Sequence, residues 1–226
     1  MSISDPVDVD PYVARLLAML EEILAILKGG LFRPSRLIDF DTDPSGNPLA
    51  DGSVISGTYT VWGATFAVVP GANPGPNVSG VDVYARNGQT FVASTYPAIS
   101  PPNIVSIQSA SDPSFDVLDG SIIASFPFSV AAVSIFTCLE YPGATPTSLP
   151  FMQVYSTAAP SSASLLAKVE YPSPVNSANF GTWQSLFYEA PQKNIQSIVF
   201  SCSNPGSSTA SVRTKALFDS LRYYYS

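Results

Sequence analysis

The sequence predicts an all-β fold, an antiparallel β-sandwich or jelly roll preceded by one N-terminal amphipathic α-helix. Three observations predict it. From residue 37 onward the apolar residues recur with a period of two, in about a dozen short runs. Turn chemistry separates these runs, as at Pro44-Ser-Gly-Asn-Pro48, Ser100-Pro-Pro102, Asp119-Gly120, Tyr141-Pro-Gly143 and Asn204-Pro-Gly206. No stretch after residue 30 has a helical period, which argues against a parallel α/β sheet.

The helix comes first. Asp10-Pro11 is a strong start, because Asp accepts from free N–H groups and Pro is favoured at the first helical position. Gly29-Gly30 is a strong stop. Between them Val13, Leu17, Leu20, Leu24 and Leu27 repeat at the four-three spacing of a coiled coil. A second stripe, Leu16, Met19, Ile23 and Ile26, widens the apolar face. A helix of this length is marginal alone in water and has to bury that face. It does so on its own sandwich, or by self-association or docking into a larger assembly. The hinge Gly30-Leu-Phe-Arg-Pro34, and a following domain that needs no helix to complete it, favour assembly. The expected division is an oligomerisation or anchoring segment over 1–34 and a sandwich over 35–226.

The expected strands are 37–41, 58–69, 81–86, 90–95, 103–109, 121–128, 131–141, 151–156, 165–171, 182–189, 195–203 and 216–225. Asn87-Gly88, between two apolar runs, predicts a two-residue hairpin. The opening run Leu37-Ile-Asp-Phe-Asp41 and the closing run Leu217-Phe-Asp219 begin with an apolar residue and end in Phe-Asp. What the two runs share is the dipeptide Phe-Asp, at Phe40-Asp41 and Phe218-Asp219, and they are expected to pair or lie close.

Composition excludes several functions. Only 12% of the 226 residues are charged, about half the usual share, and the net charge is −7. With no basic run, binding to nucleic acid through phosphates is not expected. Histidine is absent, which removes Ser-His and Cys-His catalysis and every His-ligated metal centre. Glu140, Glu170 and Glu189 are the glutamates outside the helix, and their spacing singles out no glycosidase pair. The chain is therefore expected not to be an enzyme. Cys138 and Cys202 are expected as buried thiols rather than a bridge. The apolar run over 13–27 contains Arg15, Glu21 and Glu22 and is not a membrane span. The acidic first residues lack the positive start of a signal peptide, and Met1 favours a chain made without a leader. Asn77-Val-Ser79 fits a glycosylation sequon, a match that is frequent by chance.

Several phrases, in order, carry a resemblance. Leu37-Ile-Asp-Phe-Asp-Thr42 opens it, and Gly57-Thr-Tyr-Thr-Val-Trp-Gly-Ala-Thr-Phe66 follows. Ile123-Ala-Ser-Phe-Pro-Phe-Ser-Val-Ala-Ala-Val133 and Phe151-Met-Gln-Val-Tyr-Ser156 come next. Ile195-Gln-Ser-Ile-Val-Phe200 and Phe218-Asp-Ser-Leu221 close it. Over about 36–225 the chain resembles the galactose-binding-like jelly rolls of exported bacterial surface proteins of the PEP-CTERM type and of plant cell-wall proteins. Ser156, Ser220 and Thr42 stand where that family commonly has Asp. The resemblance implies a structural calcium ion near the junction of first and last strands, with Asp39, Asp41 and Asp219 as its oxygen ligands. The alternative reading of these carboxylates is pairing with Arg36 or Arg222.

Tyr59, Trp62, Tyr84, Tyr96, Trp183 and Tyr188 are available for stacking on a sugar, although aromatic residues are favoured in strands for packing alone. Strand alternation requires Tyr223-Tyr-Tyr225 to expose at least one ring. Together these features predict a non-enzymatic structural or attachment protein. Its jelly roll is displayed on a larger assembly, such as a phage virion, by an oligomerising helix. The alternative is a calcium-stabilised carbohydrate-binding module of an exported surface protein.

Overall fold

The computed structural model describes residues 35–70, 81–87, 102–109, 112–116, 120–139, 149–171, 182–201 and 216–225. All belong to one compact unit, Ser35–Ser226. The predicted helix, with Val13, Leu17, Leu20, Leu24 and Leu27, lies outside the described residues. So do the run 90–95, Asn77, Tyr96, Glu140 and Cys202.

The described strands run β1 Ser35–Ile38, β2 Ser53–Val54, β3 Thr65–Pro70, β4 Val81–Asn87, β5 Asn103–Ser109, β6 Asp112–Asp116 and β7 Gly120–Val130. They continue as β8 Ala132–Leu139, β9 Phe151–Tyr155, β10 Leu165–Glu170, β11 Gln184–Glu189, β12 Ile195–Ser201 and β13 Ala216–Tyr224. Every recorded pairing is antiparallel. An eight-stranded sheet has the order β11-β8-β13-β5-β4-β2, with β1 also on β13 and β6 on β5. A five-stranded sheet has the order β10-β9-β12-β7-β3.

Period-two patterning buries one side of each sheet against the other. Val133 and Ile135 of β8 and Tyr223 of β13 point inward, as do Phe126 of β7 and Phe200 of β12. Aromatic pairs cross the interface: Phe126 meets Tyr223 at 4.9 Å between ring centroids, and Phe200 meets Phe218 at 4.8 Å. Such pairs add about 1 kcal/mol each beyond the apolar area they bury.

The opening and closing runs do pair. Ser35 lies opposite Tyr224, and Ile38 opposite Leu221. On its other edge β13 follows β8 from Ala216 opposite Leu139 to Tyr224 opposite Ala132. Two strands therefore share the edge of β13 that faces away from β8. β5 meets it at Phe218 and β1 from Leu221 onward. The change of partner falls where the register with β8 slips by one residue between Asp219 and Arg222, and Ser220 there has φ 53°. A bulge of this kind bends and twists a strand, which here makes room for two neighbours in succession.

Two expected strands end differently. β1 stops at Ile38 instead of continuing to 41, because the Asp39 carboxylate offers the backbone another partner. Asp39 Oδ1 accepts from the N–H groups of Asp41 and Thr42 at 3.0 and 3.3 Å, and Phe40 between them has φ 63°. The expected strand over 58–69 begins only at Thr65. Before it, Thr60–Trp62 is a 3-10 turn ended by Gly63 at φ 79°. The predicted two-residue hairpin at Asn87-Gly88, with its returning run, lies outside the described residues beyond Asn87. β4 itself pairs with β5 along its length and with β2 at Tyr84 and Ala85. β2 and β6 carry no clear strand signal in the sequence; one is two residues long, and the other contains Pro113 and two aspartates.

Candidate functional site

Two regions bring polar or aromatic side chains together. The first is the bend that follows β1. Asn103, 1% exposed and first in β5, ties it down. Its N–H donates to Asp41 Oδ1 at 2.7 Å, and its side-chain amide donates to the carbonyls of Phe40 and Leu49, both at 3.1 Å. The Phe40 ring, fully buried, packs edge-on against Tyr59 and Phe66. Tyr59 Oη donates to the Thr42 carbonyl at 2.9 Å. The exposed loop beyond is closed by Asp43, whose carboxylate accepts from the side chain and N–H of Asn47 and the N–H of Ser45. The Asn47 amide, above all, holds the Asp43 carboxyl below the usual range.

Asp39 and Asp41 thus serve as acceptors that shape the bend. Asp219, fully buried beside the β13 bulge, accepts from Ser220 Oγ at 3.2 Å. Among the described residues no group of three or more His, Cys, Asp or Glu side chains is placed to hold a metal ion. Ion pairs join Arg86 to Asp51 and Lys168 to Glu170. Arg36 instead lies over the Trp62 ring, 4.9 Å from its centroid.

Burial raises the phenol pKa of Tyr59 above its ordinary value of 10.0, and Asp39, Asp41 and Asp43 raise it further. Burial raises that of Tyr223 as well, with Tyr225 adding to it; Tyr223 Oη donates to the Trp62 carbonyl at 2.6 Å. A raised pKa means that the folded chain holds these protons more tightly than the unfolded chain. Their contribution to stability is whole below pH 10 and is lost as pH climbs toward the folded-state values. We expect a flat melting temperature through neutral pH and a steep fall above about pH 10. Phenolate absorbance from Tyr59 and Tyr223 should appear together with unfolding.

The second region is the outer face of the eight-stranded sheet. Leu186 is buried and Tyr188 packs against the core, so alternation turns Phe187 of the edge strand β11 outward, 49% exposed. On β8, Ala132 and Ser134 also face outward and are nevertheless buried, because they are small and their neighbours are large. On β13, Arg222 and Tyr224 face outward on either side of the buried Tyr223, and Leu37 of β1 lies opposite Arg222. Register places Phe187, Ser134, Arg222 and Leu37 in one row across four strands. The rings of Phe187 and Tyr224 meet edge to face across the next row, at 6.4 Å and 86°. The result is a shallow trough with a small-residue floor, aromatic and aliphatic sides and one guanidinium. Farther along this face Ile104, Cys138 and Leu217 form a separate buried cluster, against which Trp183 packs.

Most aromatic residues available for stacking on a sugar are structural. Tyr59 is fully buried, Tyr84 is buried, and Trp62 and Tyr188 pack against the main core. Of the closing run, Tyr223 is buried, and Tyr224 and Tyr225 are partly exposed. Phe187 lies outside the set of Tyr and Trp residues that the sequence offers for stacking on a sugar. The signal that would have found it is its position between two inward-facing residues of a predicted strand.

No protein-family model and no curated protein matches the chain. Solved structures of similar shape include the K2 cleaved adhesin domain of Lys-gingipain, at TM-score 0.48 and 13% identity over 84% of this chain and 99% of that one. Another is the K1 cleaved adhesin domain of Lys-gingipain from Porphyromonas gingivalis W83, at TM-score 0.47 and 11% identity over 85% and 99%. Both likenesses concern shape and bear on neither ligand nor activity. Among the described residues no helix is long and apolar enough to cross a membrane.

Proposed function

We propose that the chain is a non-enzymatic attachment protein whose sandwich presents a glycan-binding face. The outer trough of the eight-stranded sheet carries this reading: Phe187 stands open to solvent beside the partly exposed Tyr224, on a sheet whose other large aromatics are mostly engaged in packing. Aromatic rings give a pyranose an apolar surface on which to stack, and nearby polar side chains fix its hydroxyls. The heptad spacing of Val13, Leu17, Leu20, Leu24 and Leu27 supports an oligomerising or anchoring role for 1–34. That layout suits a component displayed on a larger particle such as a phage virion. Several copies would raise a weak single-site affinity through avidity.

A glycan array probed with the labelled full chain tests the reading. Retention on a defined set of glycans is expected, and Phe187→Ala should weaken it by about tenfold or more, the scale of one lost stacking contact. Phe187 sits on an edge strand with its ring outward, so the variant should melt within a few degrees of the parent. Absence of retention on every glycan, or equal retention by parent and variant, would sink the idea.

A further inference from the structure

We propose that the outer trough takes a carboxylated pyranose, with Arg222 holding the carboxylate, Ser134 hydrogen-bonding a ring substituent and Phe187 stacking on the apolar face of the sugar. This rests on the glycan-binding reading above and adds the charge class of the ligand. Arg222 is half-buried and, among the described residues, has no hydrogen-bond or ion-pair partner. The hydroxyl of Ser134, a residue 8% exposed, likewise has none. The two stand opposite each other in the β8–β13 register and face the same side of the sheet.

A half-buried cation has lost part of its hydration, and an anion that returns those hydrogen bonds is bound with a charge-assisted gain. The chain carries 17 acidic and 10 basic side chains, so an arginine with no ion-pair partner among the described residues is a local exception to its charge. The planar guanidinium fork matches a carboxylate in two parallel bonds. Phe187 and Arg222 belong to strands on either side of β8, which puts their backbones roughly 10 Å apart, twice the inter-strand spacing. A single pyranose with its substituents spans that gap.

Other anions fit less well. The backbone of β8 is paired on both sides, with β11 and with β13, so the trough offers a peptide no main-chain hydrogen bonds. One guanidinium on a chain of net charge −7 cannot hold a polyphosphate backbone or an anionic membrane. A carboxylated sugar asks only for side chains: one cation, one hydroxyl and one ring.

The test is calorimetry on the full chain with oligogalacturonate against its methyl ester, and sialyllactose against lactose. Poly-glutamate serves as an acidic peptide. Binding of either acidic sugar, at least about tenfold tighter than its uncharged counterpart and weakening as salt rises, supports the proposal. Arg222→Gln should remove that preference, and Arg222→Lys should keep part of it. Melting curves check that both variants are folded. Equal affinity for charged and neutral sugars, lowered by Phe187→Ala and unmoved by Arg222→Gln, overturns the acidic ligand and leaves glycan attachment standing. No binding of any sugar overturns both. Arg222-dependent binding of poly-glutamate alone overturns the sugar in favour of a peptide.

Discussion

Replacing Asn103 with alanine should cost the sandwich roughly 2–4 kcal/mol, because it leaves two carbonyl groups without their donor in a water-poor site. The Asn103 side-chain amide donates to Phe40 and Leu49, and the residue is 1% exposed. Its backbone N–H bond to Asp41 survives the substitution, so the loss belongs to the side chain. A urea titration reads it as a lower midpoint at an unchanged slope. Asn103→Asp makes the comparison sharper. An ionised carboxylate facing two carbonyl oxygens should be at least as damaging at neutral pH. It should recover part of the loss in mild acid, when protonation gives it one hydrogen to donate. If Asn103→Ala matches the parent, the amide is not what holds the bend to β5.

Gly63→Ala should be nearly as costly, about 2–4 kcal/mol, for two separable reasons. Gly63 has φ 79°, where any other residue is strained by roughly 1 kcal/mol or more. A Cβ there would also fall 2.4 Å from Cε1 of Phe128, whose ring lies against the bare glycine. Displacing a packed ring adds about 1–3 kcal/mol. Gly46→Ala isolates the first cause, since Gly46 has φ 84° and nothing within 4 Å of a built Cβ. It should lose only the conformational part. A double variant, Gly63→Ala with Phe128→Ala, should regain some of what the single variant loses. Equal melting temperatures for the two glycine variants would mean that the Phe128 contact contributes nothing.

The sandwich was legible because burial writes itself into a strand every second residue. Leu186 and Tyr188, Val133 and Ile135, and Phe126 all point where alternation puts them. The pairing of first and last strands was legible from the repeated Phe-Asp phrase. What that phrase does chemically was not. In the first copy, Phe40 takes a left-handed conformation that a phenylalanine seldom adopts, and Asp41 accepts from the Asn103 N–H. In the second copy, Asp219 stays inside a strand and is fully buried. Identical residues diverge because the difference lies in their neighbours, in Asn103 and in the β13 bulge, which are remote in sequence or are matters of register. The 3-10 turn at Thr60–Trp62 was hidden for a similar reason, since Tyr59, Val61 and Trp62 favour strands until Gly63 breaks them. The trough was half legible. Strand alternation exposes Phe187 and Tyr224, but only the register across β11, β8, β13 and β1 brings Phe187, Ser134, Arg222 and Leu37 into one row.

The shared edge of β13 has a consequence for synthesis. β13 lies between β8 on one side and β5 and β1 on the other, yet each of these is translated before it. As the chain leaves the ribosome, β1 waits for a partner more than 170 residues away, and β8 has one edge unpaired until Ala216–Tyr224 arrives. Contacts of such long range form slowly, and waiting strand edges are sites of misassociation. The low-charge composition of the chain gives those edges little protection in the interval.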